Sequence, residues 1–97
     1  MKRVRFHPEA AAELTAAARY YESEAEGLGA DFLDLVEAGC SRLERFPDLG
    51  RPFGSRLRRF VLPRFPYSLI YQVGEDSFTV VAVANHYRRP GYWRQRL

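Results

Sequence analysis

The stretch Phe78-Thr79-Val80-Val81-Ala82-Val83-Ala84 constrains the fold more than any other part of the chain. A strand with one solvated face alternates apolar and polar residues. This one is apolar almost throughout, so it is expected to be the central strand, covered on much of both faces. The chain must therefore supply neighbouring strands and layers to cover it. Tyr67 to Val73 supplies one neighbour: Tyr67, Leu69, Tyr71 and Val73 fall on one face and Ser68, Ile70 and Gln72 on the other. Gly74-Glu75-Asp76 joins the two as a hairpin. Arg56 to Leu62 alternates loosely as a third strand, and Pro63 and Pro66 make the corner between it and Tyr67, since proline cannot serve a central ladder.

The first half of the chain reads differently. Val4-Arg5-Phe6 is a short strand, and Pro8 with Glu9 opens a helix whose proline suits the first turn and whose acid suits the helix dipole. His7 is expected to be a poor cap, because it lacks the short side-chain oxygen of Ser or Asp. The helix runs to about Glu26 with Leu14, Ala18, Tyr21 and Ala25 at helical spacing. Gly27-Leu28-Gly29 breaks it. A second helix reaches about Phe46, where Pro47 ends it, and carries a stripe of Phe32, Leu35, Val36, Cys40 and Leu43. Gly39 on that stripe is expected to admit another backbone. So short a break implies an antiparallel helix hairpin.

The expected architecture is a single α+β domain over residues 1–97: strand, antiparallel helix hairpin, then three antiparallel strands in a small twisted sheet packed on the helices, with a short C-terminal tail. The far face of the sheet is expected to be at least partly exposed and ringed by arginines. Ninety-seven residues are too few for two ordinary cores. No apolar run is long enough for a membrane span, and the basic start lacks the apolar stretch of a secretion signal. One cysteine cannot form an internal disulfide, which together with these features favours the cytoplasm. Cys40, on the apolar stripe, reads as a small core residue rather than a nucleophile.

Charge is unevenly divided. Residues 1–48 hold six Lys/Arg and ten Asp/Glu, for −4; residues 49–97 hold nine arginines, no lysine and two acids, for +7. Arginine suits planar, bidentate contact with phosphate or carboxylate, so the second half fits nucleic acid or an acidic protein segment, or is simply a solvated face. The densest part is NHYRRPGYWRQRL, Asn85 to Leu97. There is no glycine-rich phosphate loop, no nucleophile elbow, and no His/Cys/acid spacing for zinc. No cofactor and no metal are expected. His86, Arg88 and Arg89 follow the apolar strand, where a rigid platform would position them. With Arg64 from the proline corner they could cleave RNA without a metal: histidine moves the proton and arginines hold the phosphate. The alternative is a histidine that only bonds backbone at a strand end. Tyr92 and Trp93 are expected to fasten the tail to the body, with direct target contact as the alternative. Arg94 and Arg96 extend the basic surface beyond them. Tyr20 lies about 100° from the core-facing Tyr21 and is expected to be partly exposed, where it could anchor a partner.

The phrases Phe6-His7-Pro8-Glu9-Ala10, Tyr20-Tyr21-Glu22, Leu28-Gly29-Ala30-Asp31-Phe32, Arg64-Phe65-Pro66-Tyr67 and His86-Tyr87-Arg88-Arg89-Pro90-Gly91-Tyr92-Trp93, in this order over nearly the whole chain, resemble the RelE/ParE toxin superfamily. The resemblance implies the toxin of a bacterial type II toxin–antitoxin module, of the kind also labelled plasmid stabilisation proteins. It implies an antitoxin whose acidic, partly disordered segment folds over the toxin in a hetero-oligomer, for which the acid-poor second half is suited. The aromatic helices, the Phe65-Pro66-Tyr67 corner and the Pro90-Gly91-Tyr92-Trp93 ending look closer to the ParE-like side, which inhibits DNA gyrase. Ser68 stands where RelE-like messenger RNA nucleases tend to carry arginine. A RelE-like, ribosome-dependent nuclease using His86, Arg64, Arg88 and Arg89 is the rival, and a member that binds antitoxin without toxicity is the third. On the resemblance, Arg58, Arg64, Arg88, Arg89, Tyr92, Trp93, Arg94, Arg96 and Tyr20 are the candidates for target or antitoxin contact.

Overall fold

The structure is a computed structural model that describes residues 2–97. Strand β1 (Arg3–Phe6) leads into helix α1 (Pro8–Glu24) and helix α2 (Leu28–Arg45). Strands β2 (Arg51–Pro52), β3 (Arg58–Val61), β4 (Tyr67–Val73) and β5 (Ser77–Asn85) follow, and a 3-10 turn at Arg94–Arg96 ends the chain. The sheet has five strands in the order β1-β5-β4-β3-β2, with β1 parallel to β5 and every other pair antiparallel. The apolar strand β5 is interior as expected, although β4 is the middle strand of the order. The expected three-strand meander gains β2, a two-residue edge within what reads as loop.

The helix hairpin forms where the sequence breaks. Gly27 takes φ +84, a left-handed conformation that glycine adopts without Cβ strain. The Glu22 carboxylate accepts from the Gly27 and Gly29 amides at 2.9 and 3.0 Å, so α1 caps α2. A Cβ on Gly29 would lie 2.5 Å from the Ala18 carbonyl, so this is where the two helix backbones meet. Gly39, expected to admit a backbone, instead meets the Phe60 ring, 2.9 Å from where its Cβ would stand. His7 also departs from expectation: its Nδ1 accepts from the Glu9 amide at 3.1 Å and caps α1.

Between hairpin and sheet lies an aromatic core. Tyr21, Phe32, Phe65 and Tyr67 pack with ring centroids 4.7–6.2 Å apart, mostly edge to face or tilted. Such pairs add about 0.5–1.5 kcal/mol each beyond burial. Val36, Leu43, Leu69, Phe78, Val80 and Val83 complete it. Cys40 belongs to this layer, and burial pushes its thiol up to about 11, so it stays protonated. Tyr71 reaches the far end, where its hydroxyl donates to the Pro47 carbonyl (2.7 Å) and accepts from the Gly50 amide (2.9 Å). This clasp holds the segment leading to β2.

The far face of the sheet is covered, contrary to expectation. Ile70, Val81, Ala82 and Ala84 pack under Leu57 and Trp93, with Phe53 and Tyr92 at the margin. A bulge makes this possible: Ile70 pairs Ala82 while Tyr71 pairs Val80, which leaves Val81 as the extra residue. Val81 and Ala82 therefore both join the far-side cluster, and Val83 returns to the helix side.

Candidate functional site

The site is built where β5 ends. The His86 amide donates to the Pro66 carbonyl at 2.8 Å, which seats the histidine against the proline corner. Its Nε2 lies 2.8 Å from the Ser68 hydroxyl, and Arg59 Nε donates to the same hydroxyl at 3.1 Å. Serine has one proton. Its oxygen has two lone pairs, so it accepts from Arg59 and either donates to Nε2 or accepts from it, according to the histidine tautomer. Desolvation, and then the Arg59 charge, lower the His86 pKa in the same sense. A pocket of about 70 Å³ opens here, lined by Arg59, Ser68, His86 and Arg88 over Phe53 and Trp93. No acid lines it, and the arrangement suits a small oxyanion group.

The expected site residues do not form one constellation. Arg64 has φ +69 and lies over the Phe65 ring at 5.2 Å, 3.6 Å from Asp31, on the helix side of the sheet. It is thus separated from His86, which bonds Ser68 on the opposite face. Arg88 does line the pocket, but it stacks on Tyr92 at 3.7 Å and pairs with Glu13 at 3.2 Å. Arg89 is exposed and has no ion pair among the described residues. Arg58 turns inward to the Asp48 and Gly50 carbonyls at 3.1 and 2.7 Å, so it braces the β2 approach. Tyr20 is 57% exposed beside Tyr21, as its spacing implies.

The tail divides. Trp93 is buried against Phe53 and Tyr92, which supports the fastener reading. Burial and the neighbouring Glu13 push the Tyr92 phenol well above its usual range. Arg94 is exposed and lines a second hollow with Phe53, Arg56 and Trp93. Arg96, expected on the basic surface, is instead internal: its side chain is only 5% exposed. It makes a paired contact with Glu13, both bonds 3.0 Å, and donates to the Val81 carbonyl at 3.0 Å. Glu13 also accepts from the Val83 amide at 3.0 Å. Strand β1 covers this side of β5 only as far as Val80, so Glu13 and Arg96 together close the open edge beyond it.

Arg59 and Glu13 are not among the residues the sequence offers as site candidates, and Ser68 enters only as a departure from the nuclease pattern. Strand parity puts Arg59 opposite in face to Arg58, and Ser68 breaks the apolar run near the β4 start; the pairing register that joins them is a tertiary fact. Glu13 is one acid among several on α1 and carries no local signal.

A helix hairpin over a mixed sheet closed by a basic tail is the fold of small toxins of the RelE/ParE class. One solved structure with this fold, described as the chromosomal ParDE TA system from P. aeruginosa, matches with a TM-score of 0.63 at 20% identity over 88% of this chain and 96% of that one. The family model of the ParE toxin of the type II toxin–antitoxin system, parDE, matches residues 4–90, and the chain belongs to that family. No curated protein matches the chain. Among the described residues no helix is long and apolar enough to cross a membrane.

Proposed function

We propose that this chain is a cytoplasmic toxin that inhibits DNA gyrase and is neutralised by a cognate antitoxin. The observation that carries the reading is its membership of the ParE toxin family across residues 4–90. The site is compatible with a binding protein. Of the four residues a nuclease would use, Arg64 sits on the other side of the sheet from His86, and Arg88 is neutralised in part by Glu13. Basic and aromatic groups at the β5 end remain available for contact with a macromolecular target.

One observation favours a second reading, metal-independent RNA cleavage: Arg59, Ser68 and His86 hold a neutral histidine beside cations in a pocket that fits an oxyanion. Tightly controlled expression separates the two. Gyrase inhibition predicts SOS induction and altered supercoiling with intact messenger RNA. Rapid messenger RNA loss with normal supercoiling would overturn it in favour of the nuclease, and growth without any defect would point to a member that has lost toxicity.

A further inference from the structure

Two hollows on the far side of the sheet join into one cationic strip. The hollow of Arg59, Ser68, His86 and Arg88 shares its Phe53 and Trp93 wall with a larger one of about 520 Å³, which Arg56 and Arg94 line. Arg89 follows Arg88 and is exposed, as are Arg56 and Arg94. Arg56, Arg59, Arg89 and Arg94 have no ion pair among the described residues, and Arg88 pairs only with Glu13. No acid lines either hollow. The acids of this half of the chain, Glu75 and Asp76, line a different hollow with Lys2, Arg3 and Arg5. Cations gathered without counter-charges raise a local potential that draws anions. The apolar groups between them are already engaged. Trp93 is 5% and Leu57 9% exposed, and Phe53 packs on Trp93 at 5.9 Å with Arg59 over its ring at 5.8 Å. Tyr87, though exposed, lines neither hollow.

We infer that this strip binds the phosphate backbone of duplex DNA, and that the chain uses the contact to engage the DNA on which gyrase acts. The second half of the inference rests on the gyrase reading. Arginine forks match phosphate oxygens, and each phosphate neutralised releases counterions, so the contact is independent of sequence and steeply dependent on salt. Single strands are held by bases stacked on open aromatic faces. The strip offers few such faces, because its rings are packed on one another. A protein partner would bury an apolar centre within a polar rim, and here Leu57 and Trp93 are buried already. What the strip leaves open is charge, which is what a duplex backbone presents.

The test titrates the chain against a short labelled DNA duplex of arbitrary sequence by fluorescence anisotropy, at several salt concentrations. Affinity should fall with salt on a log–log slope of about −4, as contact with roughly four phosphates requires. Arg56→Glu with Arg94→Glu should weaken binding by roughly tenfold to a hundredfold and make the slope shallower by about two. The charge-matched control is Arg19→Glu with Arg45→Glu, at exposed arginines of α1 and α2 that have no ion pair among the described residues. It should weaken binding by less than about threefold, since salt screens distant charges. Thermal melts confirm that each variant is folded, and Arg56→Gln with Arg94→Gln replaces the reversal if it is not. With purified gyrase, the strip variant should need roughly tenfold more protein than wild type to inhibit supercoiling. No duplex binding by the wild-type chain at low salt, or equal binding by strip variant and control, would overturn the inference. If such a chain still inhibited gyrase, the gyrase reading would stand without it. Strip-dependent DNA binding by a chain without effect on gyrase would keep the surface and overturn the gyrase reading. Tighter binding of a single-stranded RNA of the same length would assign the strip to RNA instead.

Discussion

The two faces of the sheet are packed by different kinds of chain. The helix side is covered by α1 and α2, regular elements close together in sequence, and its core holds the fully buried Phe32, Leu43, Leu69 and Phe78. The far side is covered by single residues from irregular segments: Phe53 and Leu57 flanking a loop, and Trp93 from the tail. The first layer is continuous. The second depends on a few anchors and on the ion pair that holds the tail. The lesson is that the same sheet carries a robust layer and a conditional one, and the candidate site lies on the conditional side.

Substitutions can break this contrast. Phe32→Ala, at the centre of the aromatic core, should cost about 4 kcal/mol and leave a chain with little cooperative melting. Trp93→Ala should cost about 3 kcal/mol, lowering the melting temperature by roughly 12 °C or more for a domain this small. A Trp93→Ala chain that melts like wild type would mean that the far layer is not part of the cooperative fold. Glu13→Gln should cost about 2 kcal/mol, since it loosens the Arg96 pair and the Val83 amide together. A double-mutant cycle with Arg96→Met should return a coupling above about 1 kcal/mol, and additive effects would refute the latch.

The smallest effect concerns pH. The His86 pKa lies below its ordinary 6.5 in the folded chain, so on acidification the unfolded state takes up the proton first. The stability linked to His86 is therefore complete above about pH 6.5 and is lost as pH falls through its folded value. His86 is exposed, so the change in melting temperature should be slight. His86→Gln should flatten the profile in that window; an unchanged profile would deny the Ser68–Arg59 contact any electrostatic role.

The robust layer was legible in the sequence because periodicity encodes it. Phe32, Val36 and Leu43 recur at helical spacing, and Tyr67, Leu69 and Tyr71 alternate, so each face follows from local geometry. The conditional layer has no period. Phe53 and Leu57 sit among glycine, serine and proline, and β2 is too short to alternate. The tail shows the limit most plainly. Arg94 and Arg96 look alike in sequence, yet one faces solvent and the other is internal, because Glu13 lies opposite only one of them. Trp93 could be read as a fastener from its size and amphipathic chemistry. Arg59 and Ser68 come together only through the β3–β4 register, and Arg64, expected beside His86, lies in the corner between those strands and turns to Asp31 on the other face.

The contact between Glu13 and the Val83 amide also makes Val83 a reporter. Its neighbours in β5 are held by strand partners and exchange their amide protons when the sheet opens. Val83 is held by a side chain whose other bonds go to Arg96 and Arg88, both in the segment after β5. Its exchange rate should therefore follow release of the tail, so that one resonance can distinguish a chain with its latch undone from one that has unfolded.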